Sequence, residues 1–200
     1  GRMRHALQAL GSPCGDIPAI QVAGTNGKGS IASFLSAALQ QAGLRSGVTT
    51  SPHLVSWCER IAIDGIPISE GHLRQLLLAQ QELCAEHQLT PFEQLLTAAL
   101  AHFHAEAVEL LVLEVGLGGR LDATTAHPHR PVIAMASIGL DHCEHLGSTL
   151  TAIAEEKAAV ITPGAQVISA EQPAPVKVVL EKTCSANNAF LRWVDPLPSD

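Results

Sequence analysis

Short runs of aliphatic and β-branched residues alternate along the chain with longer stretches in which apolar residues recur every three or four positions. The runs predict strands over Ala19–Ala23, Ser46–Thr50, Leu110–Val115, Val132–Ser137, Gln166–Ser169 and Phe190–Val194. The stretches predict helices over Arg2–Leu10, Lys28–Ala42, Glu70–His87, Pro91–Ala107, Leu150–Val160 and Ala174–Ala186. Leu110 to Leu113 is apolar at every position, as in a strand covered on both faces. Residues 59–68 alternate around Asp64-Gly65 and read as a hairpin. Thr90 and Glu93 flank Pro91 at capping-box spacing, and Gly43 suits the end of the first long helix. The alternation predicts an α/β domain, a mostly parallel sheet with helices on both faces. There is no internal repeat, low-complexity tract or clear linker, although Pro196-Leu197-Pro198 suits the start of a connection.

Two hundred residues with 46% hydrophobic and 16% charged side chains make one domain, or one and a fraction, and exclude a disordered chain. A chain of this length hides roughly 70% of its unfolded surface. Twelve basic against nineteen acidic side chains, a net charge of −7, argue against a nucleic-acid or anionic-membrane surface. With 3% aromatics and no tyrosine, a stacking platform for single strands is also disfavoured. No apolar run approaches the roughly 18 residues that span a bilayer, and Gly1 to His5 lacks the form of a signal peptide. Five cysteines without C-x-x-C spacing suit a reducing, cytoplasmic setting. Cys14, Cys58, Cys84 and Cys184 read as packing residues.

The first chemical signal is Gly24-Thr25-Asn26-Gly27-Lys28-Gly29-Ser30, between a strand and a helix. Glycines let consecutive N–H groups curl toward phosphate oxygens, the helix adds its positive end, and Lys28 reaches the β- and γ-phosphates. An ordinary strand-to-helix turn also favours Gly and Asn, but does not call for the lysine. The loop departs from G-x-x-x-x-G-K-[ST]: Val22 stands at the first glycine position, and Gly29 follows Lys28. The hydroxyl that holds Mg²⁺ is therefore displaced to Ser30 or supplied by another loop.

Three further segments follow in order. They are Thr49-Thr50-Ser51-Pro52-His53-Leu54 with Glu59-Arg60-Ile61, then Glu114 through Thr124, then Ile138-Gly139-Leu140-Asp141-His142 with Leu146-Gly147 and Glu156-Lys157-Ala158. Together with the glycine loop they resemble the folylpolyglutamate synthase/dihydrofolate synthase family of the Mur ligase superfamily, from about Leu7 to about Val194. The resemblance implies a P-loop fold of the Mur ligase central-domain type. It implies an ATP-dependent ligase that activates a folate or pteroate carboxylate as an acyl phosphate and joins it to L-glutamate, with ATP and Mg²⁺ as cofactors. Gly24, Thr25, Asn26, Gly27, Lys28, Gly29 and Ser30 would hold the nucleotide. Ser51, Glu114, His142 and Lys157 would serve the metal, and Lys28, Glu114, His142 and Lys157 the catalysis. Lys157 matches a lysine that relatives carry as a carbamate. Thr90-Pro91-Phe92-Glu93 resembles the family's substrate-proximal segment, although a plain helix cap explains Thr90 and Glu93 equally well.

Glu114 follows four apolar residues and precedes Gly116-Leu117-Gly118-Gly119, at the end of a strand where parallel sheets bind ligands. Asp141-His142-Cys143-Glu144-His145 has the look of a zinc cluster but lacks a second, distant ligand pair. The pairs His102/His104 and His127/His129 read as solvated helix-end and loop residues. Thr125 stands where the family usually has Asn, and Ala159 where relatives often have Gly. Relatives also run on into a smaller glutamate-binding domain, so residues 1–200 read as an incomplete ATP-binding domain, inactive alone and monomeric when whole. The alternatives are another Mur-type ligase and a nucleotide-binding module without catalysis. A UDP-sugar peptide ligase would require a recognition domain ahead of the loop.

Overall fold

The structure is a computed structural model that describes residues 1–141, 144 and 147–195. Its strands are β1 (Ala19–Ala23), β2 (Ser46–Thr49), β3 (Ile61–Ile63), β4 (Ile66–Pro67), β5 (Leu110–Glu114), β6 (Val132–Met135), β7 (Gln166–Ala170) and β8 (Phe190–Val194). They form one sheet in the order β4-β3-β2-β5-β1-β6-β7-β8. β2–β3 and β3–β4 pair antiparallel, and the other pairs are parallel. The helices are α1 (Arg2–Ala9), α2 (Lys28–Gln41), α3 (Glu70–Ala79), α4 (Gln81–Glu86), α5 (Pro91–Ala105), α6 (Leu150–Ala158) and α7 (Ala174–Ala186). The chain leaves β1 through α2 toward β2, and later places β6 on the other side of β1. Strand order therefore reverses at β1, and the crevice at such a reversal opens at the carboxyl ends of the strands.

β1, β8 and α7 have the bounds expected from the residue pattern, and most other elements differ by at most two residues. The expected helix over Glu70–His87 is instead two helices. It breaks at Gln80 (φ −101°, ψ 5°), whose N–H still donates to Leu76 O and whose carbonyl accepts from Cys84 N–H. The two halves bury different partners, which accounts for the break. Leu73 of α3 joins the cluster around α5, whereas Cys84 of α4 packs with Ala6 and Leu89.

Local chemistry explains the turns. Asp64 and Gly65 both have positive φ (49° and 76°), as a type I′ hairpin turn requires, and Asp64 Oδ1 accepts the Ser46 N–H at 2.9 Å. At α5, Thr90 Oγ1 accepts the Glu93 N–H while Glu93 Oε2 accepts the Thr90 N–H, so the capping box is closed.

Alternation along β5 divides the core. Leu111 and Leu113 pack with Leu100 and Phe103 of α5, and Val112 packs with Val22, Val48 and Ala32 beneath α2. Further along the first face, Ile133, Met135 and Val167 pack against Ile153 of α6 and Leu180 of α7. Gln21 lies in register with Leu113 and Ile133 on that same face, between the two apolar clusters. Its amide is not orphaned. Nε2 donates to Thr124 Oγ1 at 2.8 Å, and Oε1 accepts from Arg130 Nη1. Arg130 also donates to His127 O and Val160 O.

Two histidines depart from expectation. His104 and His129 are exposed, but His102 and His127 are buried. His102 faces inward from α5 against the His72 ring, 4.7 Å between centroids, and the Nε2 of His127 lies 2.9 Å from Ile17 O. Among the described residues, no helix is long and apolar enough to cross a membrane.

Gly47 on β2 is pressed against α5: a Cβ there would lie 2.6 Å from Phe103 Cγ. Gly47→Ala should therefore cost about 1–3 kcal/mol of unfolding free energy through overpacking. Joined to Phe103→Leu, it should cost less than the sum of the single changes in urea melts. Strict additivity would show that the two sites are uncoupled.

Candidate functional site

The carboxyl ends of β1, β5 and β6 carry the site. Gly24 leaves β1 at φ 136°, and a Cβ there would lie 2.7 Å from Ala136 Cβ, so only glycine lets the chain pass this close to β6. The next residues are tied down from below. The N–H groups of Thr25 and Asn26 donate to Ser137 O at 2.8 and 3.3 Å, and Thr25 Oγ1 exchanges hydrogen bonds with the Gly139 backbone. Gly27 precedes α2, and no side chain caps that helix. Its first N–H groups are ones a helix cannot satisfy internally.

Lys28 opens α2, with its Nζ 3.2 Å from Thr25 O and no carboxylate in ion-pair contact among the described residues. Glu114 ends β5 and is buried, with 4% of its surface exposed. Its Oε2 accepts the Ser51 N–H at 3.0 Å, and a Cβ on Gly29 would lie 3.9 Å from the same oxygen. Lysine loop, Ser51 and Glu114 thus share one rim. Burial pushes the Glu114 carboxyl above its ordinary pKa and Asp122 adds to this, while the Ser51 N–H and Lys28 pull it back.

Lys157 rises from α6 beneath the loop. It is buried, and its Nζ donates to Gly24 O at 2.9 Å. Burial first, then repulsion from Lys28, push its pKa down to about 8, against the opposing pull of Asp141, Asp122 and Glu156. As an ammonium it donates to a carbonyl and offers no metal-binding lone pair. His142 lies outside the described residues, as do Cys143, His145 and the segment Pro196 to Pro198. Among the described residues, no three His, Cys, Asp or Glu side chains cluster to hold a metal. The oxygens of Glu114 and Ser51 nevertheless suit a hard cation such as Mg²⁺, which binds through few carboxylates.

Beside this rim opens a cavity of about 540 Å³, lined by Ser51, Arg60, Phe92, Gly116, Leu117, Leu121 and Asp122 among others. Two features of it were not anticipated as site residues. Asp122 is buried, and its four hydrogen bonds come from the N–H groups of Gly116, Leu117 and Thr124 and from Thr124 Oγ1. Burial raises its pKa and those bonds oppose the rise. Arg60 ends the 3-10 turn Trp57–Arg60, and Glu59 accepts the N–H groups of Leu54, Val55 and Ser56. The visible signal for Asp122 was its place in the segment after Glu114. For Arg60 it was its place in Glu59-Arg60-Ile61, which gave it no role of its own.

The Mur ligase middle domain model matches residues 22–186. The dihydrofolate synthetase of Saccharomyces cerevisiae is 38% identical over 97% of this chain and 47% of its own length. The dihydrofolate synthase/folylpolyglutamate synthase of Bacillus subtilis is 39% identical over 90% of this chain and 43% of its own. The Mycobacterium tuberculosis folylpolyglutamate synthase, solved with ADP and AMPPCP, superposes with a TM-score of 0.90 at 36% identity, covering 96% of this chain and 46% of that one. The chain spans about half the length of these relatives. It belongs to the Mur ligase middle-domain family.

Proposed function

We propose that the chain supplies the nucleotide- and metal-holding part of an ATP-dependent ligase that joins L-glutamate to dihydropteroate or to tetrahydrofolate polyglutamates, with ADP and phosphate as products. The observation that carries this reading is the meeting, at one rim, of a lysine-bearing glycine loop and a buried carboxylate, beside an open cavity. The names of the relatives and the ADP and AMPPCP in a solved neighbour support it. The scattered cysteines and the net charge of −7 support a cytoplasmic enzyme acting on small molecules.

In such a reaction the acceptor carboxylate attacks the γ-phosphorus, the bond to the β-phosphate oxygen breaks, and an acyl phosphate forms. The glutamate amine then attacks the acyl carbon, loses a proton and expels phosphate. The protein's work is positioning and charge neutralisation. The glycine loop Gly24 to Ser30 would cradle the phosphates through the free N–H groups at the start of α2, and Lys28 would neutralise charge that builds on the transferred group. Glu114 and Ser51, with His142, would hold Mg²⁺, which when bound neutralises phosphate oxygens. Phe92, Leu117 and Leu121 give the cavity an apolar lining suited to the aromatic body of a pterin acid.

Lys157 is poised for carbamylation. With a pKa near 8, part of it is a free amine at neutral pH, and its lone pair can attack CO₂ as the nitrogen loses a proton. The product is anionic and would give the metal a further oxygen ligand. The reading as a whole is tested by glutamate incorporation in the complete protein with each acceptor, and incorporation with neither would refute it.

Lys28→Ala should weaken AMPPCP binding to this chain at least about tenfold, roughly 1.4 kcal/mol, without altering its circular dichroism or melting. Unchanged nucleotide affinity would remove Lys28 from the phosphate site. For Lys157 the sign follows from a lowered pKa, since the neutral fraction grows as pH rises through about 8. At constant dissolved ¹³CO₂, labelling should increase from pH 7 to 8.5 and vanish in Lys157→Arg. Labelling that persists in the arginine variant would place the carbamate elsewhere.

A further inference from the structure

The cavity beside Glu114 is lined by two arginines and two acidic side chains, and only one of the four has no ionic or saturating partner. Arg2 is engaged by both oxygens of Glu93 at 3.0 Å. Asp122 is saturated by its four hydrogen bonds. Arg60 has no carboxylate partner among the described residues.

Its side chain is nevertheless held in place. Nε donates to His53 Nδ1 at 2.9 Å, and the guanidinium carbon lies 4.5 Å from the centre of the Trp57 ring. His53 and Trp57 also touch, with ring centroids 4.5 Å apart. Both supports act on the inner edge and one face of the guanidinium. The terminal amino groups donate to nothing among the described residues, so the planar fork is oriented and its outer edge is open.

The position is telling. Arg60 lines the open cavity together with Ser51, Phe92 and Gly116. It also lines a tighter hollow, about 10 Å³, that it shares with Glu114 and Thr49. Thr49 Oγ1 is buried there without a hydrogen-bond partner. Arg60 thus stands between the space open to an acceptor and the buried carboxylate. Burial pushes its guanidinium below the ordinary arginine pKa.

We propose that Arg60 grips the carboxylate of the acceptor beside Glu114 and makes the cavity selective for acids over neutral analogues. This rests on the reading of that cavity as the acceptor site. An acid approaching Glu114 meets like charge, and a bidentate arginine offsets that repulsion while fixing the direction in which the carboxylate oxygen points. The opposing view is that Arg60 only braces the His53–Trp57 loop. A brace would affect acids and neutral analogues alike.

The test measures calorimetrically the binding of dihydropteroate and of its carboxamide to this chain with AMPPCP and Mg²⁺ present. Unsubstituted protein should prefer the acid about tenfold or more. Arg60→Gln should abolish the preference by weakening the acid alone, with amide and AMPPCP affinities retained. Arg60→Lys keeps the charge but not the fork, and should keep only part of the preference. A preference undiminished in Arg60→Gln, or equal loss for acid and amide, overturns the proposal. Should Arg60→Gln not fold, Arg60→Lys decides, and a full preference there overturns it. If the unsubstituted protein holds AMPPCP but neither acceptor, the acceptor reading itself falls, and this assignment with it.

Discussion

Gln21 places an amide in the middle of the central strand, on the face that carries most of the apolar core. Left unpaired it would cost about 1–3 kcal/mol, so the surroundings are arranged around it. Arg130 fills one side and Thr124 the other, and Thr124 passes the chain of bonds to Asp122, which holds the N–H groups of Gly116 and Leu117. The loop that follows Glu114 is thereby anchored to the centre of the sheet. Among the described residues Arg130 donates to neutral acceptors, the Gln21 amide and two carbonyls, and burial drops its pKa to about 10, still charged at neutral pH. Removing any acceptor would leave a buried cation short of a partner, which is costlier than the bond it loses. The thread divides the two apolar clusters and fixes how the parts over β5 meet those over β6 and β7.

The same economy shapes the glycine loop. Its inward carbonyls and N–H groups are consumed by Ser137, Gly139, Lys28 and Lys157. What remains for a ligand is the outward set at the start of α2. Those donors are held before any phosphate arrives, so little reorganisation is needed on binding. Lys157 ties α6 to the glycine loop through Gly24 O. Its α6 also supplies Glu156, whose carbonyl accepts the Arg120 N–H and whose carboxylate pairs with Arg120 at 3.2 Å, and Gly119 lets α6 lie against the loop after β5.

Periodicity and punctuation carried most of the fold. Period-two and all-apolar runs marked the strands, and Thr90-Pro91 with Glu93 marked the start of α5 to the residue. The break at Gln80 was invisible because both halves of Glu70 to His87 are amphipathic; only their partners differ. His102 and His127 look like polar surface in sequence, but one lies on the inner face of α5 and the other is clasped by Ile17 O. In the site, Lys28, Ser51 and Glu114 were legible because each sits at a strand end or a glycine turn. Arg60 stood in the segment Glu59-Arg60-Ile61 without a role of its own, since what sets it apart is the lack of a carboxylate partner among the described residues. That property belongs to the packed chain and has no counterpart in local pattern.

Charge at the rim behaves alike for both signs. Burial moves Glu114 and Asp122 up, Lys157 down to about 8, and Arg60 down. Every one of these groups is thus pushed toward its neutral form, and in each the loss of water is the largest cause. Pairing within the protein does not make up the difference, even though carboxylates and cations sit within one crevice. A fold selected for stability alone would close such groups onto one another or replace them with apolar side chains. On the proposed reading, Lys28 and Arg60 face phosphate and acid positions, and Glu114 faces a cation position. The binding partners that would restore charge to these groups, a polyphosphate, an organic acid and a hard divalent ion, are the same three that the proposed ligation brings together.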